Sequence, residues 1–271
     1  MNGKRVGVGI NYRVEFEAAI LGHIEAFDFL EFVTDALFEP GRLTDGTRRA
    51  LGTKPFALHG LRTSLGSAEA LDRRYAARTL EVVGRLKPLW FSDHIAFTQI
   101  AGIQVGRLLP VRRTEENAQR IIEKIRFLKG RCDTPYLVEN IAYYFEYDDD
   151  PLTEPAFISQ ILEGADCGLL LDVANLYVNS VNFGFDPHRF AASLPLERVT
   201  EIHLAGSLER EKVLIDTHGH QIPDAVWDLL EFICRRARPL GIIIERDTDF
   251  DIQEILESVQ RAQSIFLSAS D

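Results

Sequence analysis

The chain has 271 residues, a formal net charge of −11, and 46% hydrophobic against 26% charged residues, the mix of an ordinary globular protein. That length fills one α/β barrel of roughly 250 residues and supplies a core that folds without disulfides, so a single domain over residues 1–271 is expected. The acidic balance lacks the basic footprint of a general nucleic-acid binder, and nucleic acid is not an expected partner.

Eight apolar, β-rich runs follow one another along the chain. They are Val6–Asn11 (VGVGIN), Asp28–Thr34 (DFLEFVT), Phe56–Leu61 (FALHGL), Leu89–Phe97 (LWFSDHIAF), Tyr136–Tyr143 (YLVENIAY), Cys167–Asn175 (CGLLLDVAN), Glu201–Gly206 (EIHLAG) and Gly241–Asp247 (GIIIERD). Continuous apolar runs of this length suit parallel strands buried on both faces. Between them lie helical patterns. Glu69–Leu86 repeats Tyr75, Leu80, Val83 and Leu86, and Thr114–Leu128 opens on Thr-Glu-Glu before Ile121, Ile122, Ile125 and Leu128. Asp186-Pro187 reads as a cap followed by proline at the first helical position, and Pro223–Ala237 and Ile252–Phe266 complete the set. Strand–helix alternation repeated eight times predicts a closed (β/α)8 TIM barrel; a doubly wound open sheet is the alternative. Phe97–Thr114 and Gly206–Pro223 read as the longest irregular loops, and Asp148-Asp149-Asp150 as a solvated one.

No run approaches the ~20 apolar residues of a membrane span. The opening MNGKR lacks the apolar stretch of a secretory signal, so no membrane association and a cytoplasmic location are expected. Cys132, Cys167 and Cys234 form no C-x-x-C pair, which disfavours a disulfide framework or a thiolate zinc site.

The polar residues at the strand ends carry the chemistry. His59 ends the third run, Asp93 and His94 interrupt the fourth, and Glu139-Asn140 ends the fifth. Asp172 and Asn175 end the sixth, His203 lies in the seventh, and Glu245-Arg246-Asp247 ends the eighth. The stretch after the seventh adds Asp216, His218 and His220 (DTHGH). Each has a plain structural reading: a strand histidine is often a hydrogen-bonded core residue, and Asp172 suits a helix cap. Together they meet at one end of a barrel, and burying so many ionisable groups is costly unless they are paired or hold a cation. Five of the seven histidines belong to this set, while His23 and His188 fall in helices as surface residues. Imidazole with carboxylate suits iron, manganese or zinc. The ligands outnumber the needs of one ion, and a carboxylate such as Glu139 can bridge two.

With those residues in place, the chain resembles the DUF692, or UPF0276, family of multinuclear non-haem iron-dependent oxidative enzymes. That family includes methanobactin-type oxazolone-forming enzymes and enzymes of peptide-derived 3-thiaglutamate biosynthesis. The resemblance runs through GVGINYR, LEFVTDALFEPG, LHGLRTSLGS, SDHIAF, LLPVRRTEENA, LVENIAYY, LLLDVANLYVNSVNFGFDP, EIHLAG, DTHGHQIPDAVWDLL and IIIERD, nearly the whole chain. LDVANLYVN, HLAG, DTHG and ERD in combination make it specific.

The resemblance implies a xylose-isomerase-like barrel with two or three iron ions, mixed Fe(II) and Fe(III), and O2 as co-substrate. It implies one metal position on His59, His94 and Glu139, and a second sharing Glu139 with Asp172, His203 and Glu245. A third would use Asn175, Asp216 and His218. The substrate implied is a ribosomally made precursor peptide, commonly modified at cysteine and presented by a small leader-peptide-binding partner protein. Glu139, Asp172 and Arg246 are the candidate catalytic residues, and Arg246, Arg62 and Asn179 are candidates for holding the peptide. Three segments depart from the family pattern: GVGINYR for GxGLR, LEFVTDALF where many members carry a Glu near an aromatic residue, and LPVRRT for LPxPxT. These are expected on the substrate side or in strand ends without ligands. Three other readings stay open: a zinc hydrolase of the endonuclease IV type, a sugar isomerase with two divalent ions, and a non-catalytic metal-binding scaffold.

Overall fold

The computed structural model describes residues 4–268. Eight parallel strands form its centre: β1 (Gly7–Tyr12), β2 (Leu30–Val33), β3 (Phe56–His59), β4 (Phe91–His94), β5 (Tyr136–Glu139), β6 (Gly168–Asp172), β7 (Val199–Leu204) and β8 (Gly241–Ile244). Each pairs with its neighbour in sequence, and β1 also pairs with β8, which closes the barrel and excludes the open sheet. Every expected run overlaps one of these strands, although β1 reaches Tyr12 and β7 starts two residues early, at Val199. β1, β4 to β8 and most of β2 and β3 are buried, as side chains facing either the barrel interior or the helical layer must be.

The five expected helical patterns are helices, four more among the described residues (Glu17–Gly22, Asp45–Thr53, Glu154–Ala165 and Val173–Phe183) join them, and side-chain caps set most of the starts. Asp72 accepts from the amides of Arg74 and Tyr75, so α3 begins at Arg73 rather than at Glu69 (α1 is Glu17–Gly22, α2 Asp45–Thr53, α3 Arg73–Leu86). Thr114 caps α4 (Glu115–Lys129), and Thr153 caps α5 (Glu154–Ala165). Asp172 caps α6 (Val173–Phe183), and Asp186 caps the short α7 (Pro187–Ala192). The last two are α8 (Asp224–Cys234) and α9 (Ile252–Ser268). Among the described residues no helix is long and apolar enough to cross a membrane.

The two stretches expected to be irregular are β-hairpins. Phe97–Ile100 pairs with Ile103–Leu109, and Ser207–Arg210 with Val213–Asp216. Their tips, Ala101-Gly102 and Glu211-Lys212, all have positive φ, the geometry of a tight two-residue turn. Neither tip carries Asn-Gly or Asp-Gly, so the usual hairpin signal is missing from the sequence. The acidic run is only partly solvated: Asp148 and Asp149 are exposed, but Asp150 is held by Arg113, with Nε donating to Oδ2 at 2.9 Å.

Lys124 of α4 is buried, and its ammonium donates to the carbonyls of Ser64 (3.3 Å), Leu65 (3.0 Å) and Ser67 (2.6 Å). Ser64 Oγ in turn accepts from the amides of Thr98 and Gln99, so this one amine anchors the β3–α3 loop, which holds the first hairpin of the β4–α4 connection. Burial pushes the ammonium down from 10.5 to about 8, with Arg120 adding to the shift. Between those values the unfolded chain binds more protons than the folded one, so stability should rise as pH climbs from about 8 to about 10.5. Urea titrations across that window should show this rise diminished in Lys124→Met; an unchanged pH profile would refute the assignment.

Candidate metal centre

The centre lies at the C-terminal ends of the strands, where barrel register places side chains from different strands at one level. His94 and Glu139 are Cα partners across β4 and β5, and Asp172 and His203 across β6 and β7. His59 lies with Nδ1 2.7 Å from Ser92 Oγ, which leaves Nε2 aimed at Glu139 Oε2, 3.4 Å away. His94 Nε2 reaches the same oxygen at 3.1 Å. His203, fully buried, lies between Glu31 (Nε2 to Oε2, 3.2 Å) and Glu245 (Nδ1 to Oε2, 3.2 Å), with Glu139 Oε1 3.7 Å from Nδ1. His218 stands 3.6 Å from Glu245 Oε2 through Nδ1 and 2.9 Å from Asp216 Oδ1 through Nε2.

Candidate ligand atoms fall into four overlapping triads, each within 4.8 Å: His59–His94–Glu139, Glu139–Asp172–His203, Glu31–His203–Glu245 and Asp172–His218–Glu245. Glu139, Asp172, His203 and Glu245 each belong to two of them. The fit to cations is supported by what these atoms lack. His94 Nδ1, Glu139 Oε2, Asp172 Oδ2, His203 Nδ1, Asp216 Oδ1 and His218 Nε2 are buried without a hydrogen-bond partner. Buried polar atoms are normally satisfied, and an unsatisfied group costs roughly 1–3 kcal/mol. Their concentration at one place is what a site for shared cations requires.

Asp172 reconciles its two readings. Oδ1 caps α6 by accepting from Asn175 N at 2.7 Å, while Oδ2 stays free to bind. Asn140 supports it: the amide group donates to Asp172 O and accepts from Asp172 N, both at 2.9 Å, in place of a strand neighbour.

Several expectations change. Glu31 enters the cluster, although the LEFVTDALF segment was expected to contribute no ligand. A lone glutamate inside an apolar strand, between outward-facing Leu30 and Phe32, was the available signal. Around His218, Asp172 and Glu245 form a triad beside the position expected on Asn175, Asp216 and His218, whose Asn175 Oδ1, Asp216 Oδ1 and His218 Nε2 are likewise buried without a hydrogen-bond partner. Asp216 contacts His218, and Asn175 and Asp216 line the cavity above. Arg246 does not reach the cluster. Strand alternation that turns Glu245 inward turns Arg246 outward, where its guanidinium pairs with Glu254 of α9. Asn179 is buried with its amide bonded to Tyr143 N and Ile141 O, so it holds backbone rather than a ligand. His220 bonds Thr217 and lies in none of the triads.

Charges in the cluster are strongly interdependent. Burial raises Glu139 to about 7, against the pull of His94 and His203. Burial also raises Asp172 well above its usual range, with Glu139 and Asp216 adding repulsion. For His94, burial favours the neutral ring, but Glu139 and Asp93 more than offset this and lift it to about 9. Burial and the neighbouring His94 and His203 hold His59 well below its ordinary value. Without cations, these acids and imidazoles share protons; bound cations take the protons' place.

Above the cluster opens a cavity of about 490 Å³, lined by Arg62, Thr98, Gln104, Arg107, Tyr144 and Asp216 among others. Asp216 lines it at the start of the DTHG segment, which folds back on Gly206: His218 N donates to Gly206 O at 3.1 Å, and His218 itself has φ +50. A Cβ on Gly206 would lie 1.8 Å from His220 O. Gly206→Ala should therefore displace His218 and lose about one metal equivalent by elemental analysis while the barrel's circular dichroism is kept. Full metal content in the variant would refute this role of Gly206.

Solved structures share the fold. A xylose isomerase-like TIM barrel protein from Mycobacterium smegmatis, in complex with magnesium, superimposes with a TM-score of 0.63 at 12% identity, covering 99% of this chain and 98% of that one. Endonuclease IV from Thermus thermophilus gives 0.59 at 16% identity, covering 97% and 98%. Among sequence relatives, a UPF0276 protein of Rhizorhabdus wittichii is 37% identical over 242 residues, 89% of this chain and 87% of the relative. Another, from Acaryochloris marina, is 34% identical over 261 residues, 96% and 95%. The model of the RiPP precursor modification enzymes MbnB/TglH/ChrH matches residues 7–266, and the chain belongs to that family.

Proposed function

We propose that this protein is a multinuclear iron enzyme that uses O2 to modify a ribosomally made precursor peptide at cysteine. The single observation that carries the proposal is the set of overlapping histidine–carboxylate triads, with unpartnered atoms, reached from an open cavity through Asp216, which lines it and contacts His218. Family membership supports a precursor peptide as substrate. Nitrogen and oxygen donors without thiolate suit non-haem iron and leave positions for exogenous ligands. Iron, when bound, supplies one-electron chemistry with O2 and Lewis acidity toward a thiol.

The chain's own residues hold and orient. Glu139 presents one oxygen to His59 and His94 and the other toward His203, the disposition of a bridging carboxylate. Asp172 is locked by the α6 cap and the Asn140 clamp, so its second oxygen is preorganised. Arg246 acts as a positioning residue: its backbone amide donates to Asn11 Oδ1 at 2.9 Å and its guanidinium ties β8 to α9, which fixes the adjacent Glu245. Arg62, half exposed at the cavity wall, is placed to meet the peptide. A small leader-binding partner would present the peptide to this face, and modification would take place in the cytoplasm.

Two measurements test the reading. The reduced, iron-loaded protein should convert its cysteine-containing precursor, followed by mass spectrometry, only when O2 is admitted; equal conversion under anaerobic conditions would sink it. Zinc as the native metal, with phosphodiester hydrolysis, would replace it by the hydrolase reading. In metal analysis Glu139→Gln should lose more than one equivalent and Asp216→Ala about one. Equal single-ion losses count against a shared carboxylate.

A further inference from the structure

Among the described residues the strand Ile103–Leu109 is paired along one edge only, and that pairing is interrupted. Phe97 stands opposite Leu109 and Gln99 opposite Gln104, so Val105, Gly106, Arg107 and Leu108 face the single residue Thr98. This wide bulge takes their backbone groups out of the regular ladder. Gly106, Arg107 and Leu108 line the cavity over the metal centre. Gly106 has φ +68, and a Cβ there would meet no atom within 4 Å, so empty space lies directly over its backbone. Such a place admits the close approach of another backbone.

The second hairpin shows the contrast. The Asn182 side-chain amide donates to Leu214 O and accepts from Leu214 N, both at 2.8 Å, as an adjacent strand would. That edge is closed by the protein itself, whereas the edge that faces the cavity is left open. Exposed strand edges are templates for pairing and are usually blunted.

Charge narrows the occupant. Arg62 and Arg107 are the cations of the cavity wall, in a chain of net charge −11. Among the described residues Arg107 has no ion-pair partner, and Arg62 reaches Asp35 only at 3.6 Å. Beside the bulge, Ile103 and Val105 expose apolar surface.

We infer that the cavity takes its peptide as an extended segment laid along Val105–Leu108 as an added strand, with an acidic side chain of that segment against Arg62 and Arg107. This deepens the peptide-modifying reading and rests on it. Main-chain pairing supplies affinity in such a mode, and side-chain contacts supply selection. An acidic residue close to the modified position follows as a property of the substrate.

The test uses the iron-loaded full chain under anaerobic conditions and short, fluorescently labelled, C-terminally amidated peptides. Each has one central cysteine in a Gly/Thr/Val background, flanked by two aspartates, two serines or two lysines. Fluorescence anisotropy should rank aspartate above serine by about tenfold, with lysine weakest, and the preference should shrink with added salt. Arg62→Glu/Arg107→Glu should reverse the order at unchanged iron content. N-methylation of alternate amides in the aspartate peptide should weaken binding about tenfold, because each methyl removes a donor to the added ladder. Equal binding of the three peptides, a preference that survives the double substitution, or an N-methylated peptide that binds like its parent would each overturn the inference. So would a serine peptide that matches the aspartate peptide once its C-terminal carboxylate is freed. Turnover is read separately. A chain that selects the aspartate peptide but oxidises nothing refutes the oxidase reading alone, and one that oxidises peptides without charge preference refutes this inference alone.

Discussion

The structure turns on the burial of four carboxylates, Glu31, Glu139, Asp172 and Glu245, among four imidazoles in the mouth of a closed barrel. Taking an ion out of water costs several kcal/mol, and only close, shared partners offset it. The overlap of the triads means that Glu139, Asp172 and Glu245 each serve two groups of neighbours, whereas Glu31 meets His203 alone. The same overlap makes the group fragile: removing one bridging acid uncovers charge in two triads. Cations relieve this more completely than protons, because a cation satisfies several lone pairs at once, including those that have no hydrogen-bond partner in the protein.

Around the cluster stands a layer of neutral and paired groups whose task is orientation. Ser92 selects which nitrogen of His59 faces Glu139. Asn140 extends the β5–β6 pairing with its side chain and so pins the backbone of Asp172. Asn11 links β1 to the end of β8, donating to Asp247 Oδ1 at 2.9 Å and accepting from Arg246 N. Arg13 Nε donates to that same Asp247 oxygen at 2.6 Å, and Asp247 Oδ2 lies 3.3 Å from His218 Nδ1. The outer partners of a metal ligand commonly decide affinity as much as the ligands do. Here nearly all of them come from the strands or the residues that directly follow them.

The cavity above is built differently, from hairpins that the barrel carries on its loops. Function placed on loops over a rigid scaffold is a recurrent arrangement, since loops vary without disturbing the core. The two hairpins are unequal: one has its free edge covered by Asn182, and the other opens its bulge toward the cavity. Lys124 ties the bulged hairpin, Phe97–Leu109, to the helical layer through the Ser64–Ser67 carbonyls, so the wall has a fixed base and an exposed, apolar tip.

The chain's own pattern decided the eight strands, their parallel order and the level at which His59, His94, Glu139, Asp172, His203 and Glu245 project, because period and burial are local properties. What those side chains meet is not local. Glu31 lies 172 positions from the histidine it touches, and nothing in DFLEFVT distinguishes a ligand from an isolated buried acid. Arg246 adjoins a ligand in sequence yet faces the opposite way, since neighbouring strand residues point to opposite faces. The environment of His218 depends on a segment folding back onto Gly206, which no periodicity announces. The hairpins carry no local sequence signal because their turns use Ala-Gly and Glu-Lys in left-handed backbone instead of the usual turn pairs. Tertiary structure alone decided which acids are shared and which edge is open, because both depend on distances set by barrel closure, not by neighbours along the chain.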